Sequence, residues 1–257
     1  MKFPVVLKTA PGVEARASIY YVVAENGIFQ VRDTPIYRAV TGATGPIPGL
    51  LPESEQLFLK CPRLPRREVE EVLAFFAEVY HRHGGEAVVL LFYRSATREF
   101  RIAVPVQVLP GQLRDGRWRA RHAVEYGAVP RPAGFVRFGT IHSHADLPAY
   151  ASGVDCADEH YEDGLHIVFG DFDSPELSVA VSFVANGVRF RVVPSGVLAP
   201  WAVPHRAARA DWMACIRREG EVRGVRARTT LPMPGTPAGT RAAADTEDQN
   251  EESKGHR

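Results

Sequence analysis

Over the first sixty residues, apolar and polar positions change places in short blocks. Ala17–Ala24 is β-branched and aromatic, and Ile28–Arg32 resumes the pattern after Glu25-Asn26-Gly27. Asn-Gly between two such runs predicts a β-hairpin. Residues 40–53, rich in Gly, Pro and Thr, read as a loop. The period then changes: Val69, Val72, Leu73, Phe76 and Val79/Tyr80 recur at helical spacing within Glu68–Arg82. That spacing predicts an amphipathic helix, stopped at Gly84-Gly85.

Glu86–Tyr93 is apolar after its first residue and reads as a strand buried on both faces. Phe100–Val108 reads as a second strand, with Pro105 marking an edge or a bulge. After a Gly/Arg loop come predicted strands near Trp118–Glu125 and at Val136–His144, then a short helix over Ser152–Asp163 closed by Gly164. Leu165–Gly170 is a further strand, and Leu177–Ala185 and Val188–Val193 flank Asn186-Gly187 as a second hairpin. Ala207–Arg218 has a helical pattern. This order predicts an α/β or α+β class, a mixed sheet flanked by helices. The expected segments are a β-rich extension over 1–65, a central domain over 66–200 and a terminal helix within 201–220. Over 221–257 composition shifts to Arg, Thr, Pro, Gly and acids without periodicity, which predicts a disordered tail.

Composition narrows the picture. The chain's 257 residues allow one large domain or two small ones. Net charge of +1 provides no general field for nucleic acid or an anionic membrane, so neither is expected as a partner. No apolar run reaches the ~18 residues a bilayer span needs. Three cysteines (Cys61, Cys156, Cys215) without a CxxC pair suit a reducing compartment, and the cytoplasm is the expected location.

The stretch Ile141–Glu159, IHSHADLPAYASGVDCADE, carries candidate chemistry. His142 and His144 lie two apart at the end of a predicted strand, so both imidazoles point to the same face. Asp155 follows in the first turn of the next predicted helix, within reach of a loop containing Pro148. Two imidazoles and a carboxylate suit one Zn²⁺ ion and leave a fourth tetrahedral position for water. Such a site also needs a general base and a donor to the oxyanion.

The spacing His142-x-His144, seven residues, Ser152, two residues, Asp155 resembles the HxHx7SxxD signature of the JAB/MPN metalloproteases, also called JAMM. The resemblance covers roughly Arg66–Pro194, about half the chain. It implies a JAB/MPN-like fold, zinc held by His142, His144 and Asp155, Ser152 assisting the tetrahedral intermediate, and Glu86 as general base at the start of a buried strand. One departure stands out: where the family usually has Pro directly after the second His, this chain has Ala145, with Pro148 further on. More narrowly, YYVVAENGIFQVRDTP and SHADLPAYASGVDCADEHYEDGLHIVFG resemble the A proteins of bacterial PRTRC cassettes. Those cassettes also encode ThiF-like (E1-like) and ubiquitin-like proteins. The implied role is an isopeptidase acting after the C-terminus of a ubiquitin-like protein, with a ThiF/E1-like protein as a further partner.

Each residue also has a plainer reading. Ser152-x-x-Asp155 is a capping pattern, and Asp155 can cap and ligate at once. Glu99 and Glu125, near strand ends, compete with Glu86 for the base role. Asp158 and Glu159, three and four residues past Asp155 on the same helical face, could steady a zinc-bound histidine but read first as solvated helix surface, His160 as surface, His166 as core and Cys156 as a small buried residue. Arg114, Arg117, Arg119 and Arg121 read as a solvated loop face before an acidic-partner patch, and Trp201, Trp212 and Met213 as packing of a terminal helix. The functional alternatives are a small-molecule or peptide amidase with the same zinc site, and a non-catalytic MPN-type scaffold.

Overall fold

A computed structural model describes residues 3–47, 50–114, 117–203 and 207–221. The chain divides into two units between Phe58 and Leu59, a little before the predicted boundary at residue 65. The predicted tail over 221–257 lies outside the described residues apart from Glu221.

The first unit is a four-stranded sheet of β1 (Val5–Leu7), β2 (Ile19–Ala24), β3 (Gly27–Asp33) and β4 (Arg38–Gly42), in that order. The predicted hairpin is β2–β3, with Ala24 opposite Gly27. Tyr20, Val22 and Val31 are its buried centre.

The second unit opens with α1 (Arg66–His83), whose Val69, Val72, Leu73, Phe75, Phe76 and Val79 are buried. Burial of each larger side chain contributes about 1.5–3 kcal/mol. Gly84, in the left-handed conformation, closes the helix by donating its N–H to the Tyr80 carbonyl. Then follow β5 (Val88–Arg94), β6 (Glu99–Ala103), β7 (Gln107–Leu109), β8 (Gly111–Arg114), β9 (Arg117–Ala120), β10 (Glu125–Tyr126) and β11 (Val136–Ser143). After these come α2 (Gly153–Glu159), β12 (Gly164–Gly170), β13 (Ser178–Ala185), β14 (Val188–Arg191), α3 (Pro194–Val197), α4 (Ala210–Met213) and β15 (Ile216–Arg218).

The result is a mixed α/β architecture made mostly of strands. Its main sheet has six, in the order β14-β13-β12-β11-β5-β6. β11 and β12 are parallel, joined by α2, and the other neighbours are antiparallel. Ala87, Val89, Leu91, Ile141, Leu165, Ile167 and Phe169 face α1 in the core. Val88, Leu90 and Phe92 face the other way, packed with Phe135. His142 alternates with Ile141 and stands opposite Val88, so it belongs to the face turned away from α1.

Several expectations change: β4 reaches into the loop predicted over 40–53, the Gly/Arg loop pairs as β8 and β9, and the strand predicted near Trp118–Glu125 divides into β9 and β10. The strand predicted over Phe100–Val108 splits, because Pro105 has no N–H for the ladder. β6 stays on the edge of the main sheet while β7 joins a separate sheet, β10-β7-β15. The helix predicted over 207–218 shrinks to the single turn α4, and 216–218 form a strand parallel to β7. There Ile216 is buried and the Gln107 N–H gains the Cys215 carbonyl at 3.0 Å, a tertiary gain that overrides helical spacing. α2 ends four residues before the predicted Asp163. The aromatic packing survives the shortening: Trp212 meets Phe75 edge-on at 5.7 Å, and Trp201 meets Phe169 at 5.6 Å. The side chains of Arg114, Arg117 and Arg119 lie outside the described residues, and Arg121 is exposed.

Candidate metal centre

β11 delivers His142 from inside the strand and His144 one residue past its end. Both are buried, at 8% and 5% exposure. α2 brings in Asp155. Its N-terminus is a full capping box: the Asp155 N–H donates to Ser152 Oγ at 3.1 Å and the Ser152 N–H donates to Asp155 Oδ2 at 2.8 Å. The capping reading therefore holds, and the box leaves the Asp155 carboxylate facing the histidines.

The three side chains converge. His142 Nε2 and His144 Nε2 are 3.3 Å apart. His142 Nε2 is 3.4 Å from Asp155 Oδ1, and His144 Nε2 is 3.4 Å from Asp155 Oδ2. Those separations are long for hydrogen bonds. Tetrahedral zinc, with ligand bonds of about 2.0–2.2 Å, places its ligand atoms ~3.3–3.6 Å apart. The donor set thus fits a metal ion, and among the described residues it is the group of three metal-ligating side chains that meets in this way. His144 Nδ1 lies 3.3 Å from the Pro148 carbonyl, which orients the ring so that Nε2 faces the cluster. Tyr150 packs edge-on against the same ring at 4.9 Å.

Ala145 stands where the resembled signature usually has proline. It is buried with φ +51°, a left-handed conformation closed to proline, whose φ is fixed near −65°. The loop it begins is tied down instead by hydrogen bonds from the Phe172 N–H to the Ala145 carbonyl and from the Asp171 N–H to the Leu147 carbonyl, both 2.9 Å. That tie holds the Pro148 carbonyl beneath His144.

Glu86 is 8% exposed and lines the same cavity of about 340 Å³ as His142, His144, Ser152 and Asp155. Burial raises its pKa, against the lowering influence of His144, His142 and His122. Glu99 is exposed and bound to Arg94 and Thr97, and Glu125 is exposed on β10; neither lines the cavity. Burial alone would raise the Asp155 carboxyl, but the imidazoles of His142 and His144 facing it hold it well below the usual range.

Sequence reasoning missed the residues that fix the Glu86 backbone. The Ala87 N–H donates to Ser143 Oγ at 2.9 Å. Gln107, fully buried, accepts from the Val88 N–H at 2.8 Å and donates to the Val88 carbonyl at 3.0 Å. Its side chain replaces the strand that Pro105 turns away. The signal for Gln107 was a polar residue inside an apolar run, and Ser143, between two histidines, carried none. His122, 3.8 Å from Asp146, also lines the cavity and was not foreseen.

Two side-chain expectations are corrected. Cys156 is exposed, since it lies on the outer side of α2. Glu159 is buried, because Arg189 Nη2 donates to its Oε2 at 2.7 Å and His166 Nδ1 lies 3.2 Å from its Oε1. Asp158 and His160 are exposed and His166 is buried, as expected. Burial pushes the Glu159 carboxyl up, but His166 and Arg189 together hold it below its ordinary value of 4.5. A carboxylate with a depressed native pKa adds stability above its unfolded value and loses it as pH falls through the native one. Thermal melts of the metal-free protein across about pH 3–7 should therefore show stability falling on the acid side, with Glu159→Gln flattening that slope. Equal slopes in the two proteins would contradict the assignment.

Among the described residues no helix is long and apolar enough to cross a membrane. Comparison of the chain with protein-family models and with curated proteins finds no match in either.

Proposed function

We propose that this chain is a zinc-dependent metallopeptidase of JAB/MPN type, with a JAB/MPN-like second unit, that hydrolyses an amide at the C-terminus of a ubiquitin-like protein. The observation that carries this reading is the convergence of His142, His144 and Asp155, whose ring nitrogens are 3.3 Å apart and each 3.4 Å from one oxygen of the carboxylate, in a cavity that the buried Glu86 also lines. The HxHx7SxxD spacing supports it independently of the geometry.

His142, His144 and Asp155 would hold the ion. Zinc bound there lowers the pKa of a coordinated water to about 7 and polarises a carbonyl. Glu86 accepts the proton of the attacking water and delivers it to the departing amine nitrogen, so the base of the first half is the acid of the second. Its burial favours the protonated form, which suits it to hold the proton between the two transfers. Ser152 Oγ accepts from the Asp155 N–H, which leaves its own O–H free to donate to the oxygen that gains charge. The resemblance to PRTRC A proteins supplies the substrate class and a ThiF/E1-like protein as further partner.

The test is release of a fluorophore amide-linked to the C-terminus of a ubiquitin-like protein, beside the same fluorophore on short peptides. Release from the ubiquitin-like conjugate, abolished by chelation and restored by zinc, is the expected result. Release from peptides alone would replace the proposal with the amidase. Binding of the conjugate without release would replace it with the scaffold.

A further inference from the structure

α2 carries Asp155, yet it has almost nothing to hold it in place. It is seven residues long, and an isolated helix shorter than about 12 residues is marginal in water. Its apolar side chains do not anchor it: Val154 is 70% exposed, and Cys156 and Ala157 are exposed as well. The buried side chain of α2 is Glu159, a charged one.

Glu159 lies one turn beyond Asp155, on the same helical face. Both its oxygens are engaged, Oε2 by Arg189 of β14 at 2.7 Å and Oε1 by His166 of β12 at 3.2 Å. The anchor is itself braced. Arg189 Nη1 donates to Ser182 Oγ of β13 at 2.5 Å. His166 Nδ1 is 2.9 Å from Thr140 Oγ1 of β11, and its Nε2 is 3.1 Å from the Glu162 carbonyl. Thr140, two residues before His142, stands on the His142 face of β11. One buried polar cluster therefore ties the end of α2 to four strands of the main sheet, including the strand that supplies both histidines.

We infer that Glu159, held by His166 and Arg189, is the positioning residue that docks α2 on the sheet and so sets where Asp155 stands relative to His142 and His144. This rests on the metal-centre reading for its effect on zinc, but not for its effect on the helix. With the anchor removed, α2 keeps its capping box, the Asp155 contacts and the ties of the residues that follow it, Glu162 to Arg137 and Asp163 to Asn186, but loses the one buried side chain of its own that reaches the sheet, and with it the support for the distance of Asp155 from the imidazoles. Outer partners of metal ligands typically alter affinity 10–100-fold when removed.

The experiment uses the full chain and zinc alone as probe. Affinity is measured by competition with a chromophoric chelator for wild type, Glu159→Leu, Glu159→Gln and Arg189→Met. Hydrogen exchange of the α2 and β12 peptides is followed in the metal-free proteins. Glu159→Leu is expected to bind zinc about 10–100-fold more weakly and to speed exchange in α2 while β12 keeps its protection. Glu159→Gln, which retains a hydrogen-bonding head, loses less. Arg189→Met leaves α2 and the ligands untouched, gives a smaller loss in the same direction, and serves should Glu159→Leu not fold. Wild-type zinc affinity in both Glu159→Leu and Arg189→Met overturns the inference, as does α2 exchange that matches wild type in the metal-free variants. A wild type that takes up no zinc overturns the metal reading instead, and the exchange measurement then decides the anchoring by itself.

Discussion

Glu86→Gln is expected to lower amide hydrolysis by about 10²–10⁴-fold, or ~3–5 kcal/mol of transition-state stabilisation, while zinc content stays at the wild-type level. The amide has the shape of the carboxyl group, so the cavity is not reshaped. Glutamine cannot accept a proton from water at neutral pH, and both halves of the proposed reaction depend on that transfer. The residue makes no ligand contact in the cluster of His142, His144 and Asp155. The backbone of the two residues that follow it is pinned by Ser143 and Gln107, so the side chain can change without moving the strand. Steady-state turnover beside elemental analysis of the same preparation checks this. Equal loss of metal and of activity would make Glu86 a structural residue, and unchanged turnover would remove it from the chemistry.

Gly139→Ala is expected to destabilise the second unit by about 4 kcal/mol or more, at the upper end for single substitutions. Gly139 sits at φ +144°, which L side chains rarely adopt, and β11 shifts register against β5 between Arg137 and Gly139. An added Cβ would lie 1.7 Å from the Leu165 carbonyl oxygen and 2.6 Å from its carbon. Both are backbone atoms of the paired strand, so no side-chain rotation relieves the clash. The parallel β11–β12 pairing runs from Gly139 opposite Leu165 to Ser143 opposite Phe169, and it includes His142 opposite Val168. Forcing the strands apart at Gly139 therefore also disturbs the strand that places His142. Urea unfolding should show a much lower midpoint, and an unchanged midpoint would contradict the close approach.

What could be read in the chain follows the range of the interactions. The two histidines were legible because alternation along a strand is a local rule, and Asp155 because of its spacing from them, since the capping pattern by itself pointed to a plain helix start. Glu86 was legible because an acid heading AVVLLFY has to be accounted for. Gln107 and Ser143 were not, since each acts as a backbone partner for β5, Gln107 from 19 residues away and Ser143 from 56. Glu159 looked like solvated surface because the arginine that makes its burial tolerable is 30 residues on. The last helix was misread for a related reason. The spacing of Trp212, Met213 and Ile216 suits a helix, but the open edge of β7 is a better place for residues 216–218. Pro105 did carry its message: it was marked as an edge or a bulge, and it divides one predicted strand between two sheets.

We propose His142, His144 and Asp155 as a zinc centre. Its most direct measurement is the metal content of the purified protein by elemental analysis, beside His142→Ala/His144→Ala shown by circular dichroism to keep its fold. About one zinc per chain in the wild type and none in the double variant is the predicted result. No zinc in the wild type after supply of the metal and removal of the excess, or equal zinc in both proteins, would contradict it.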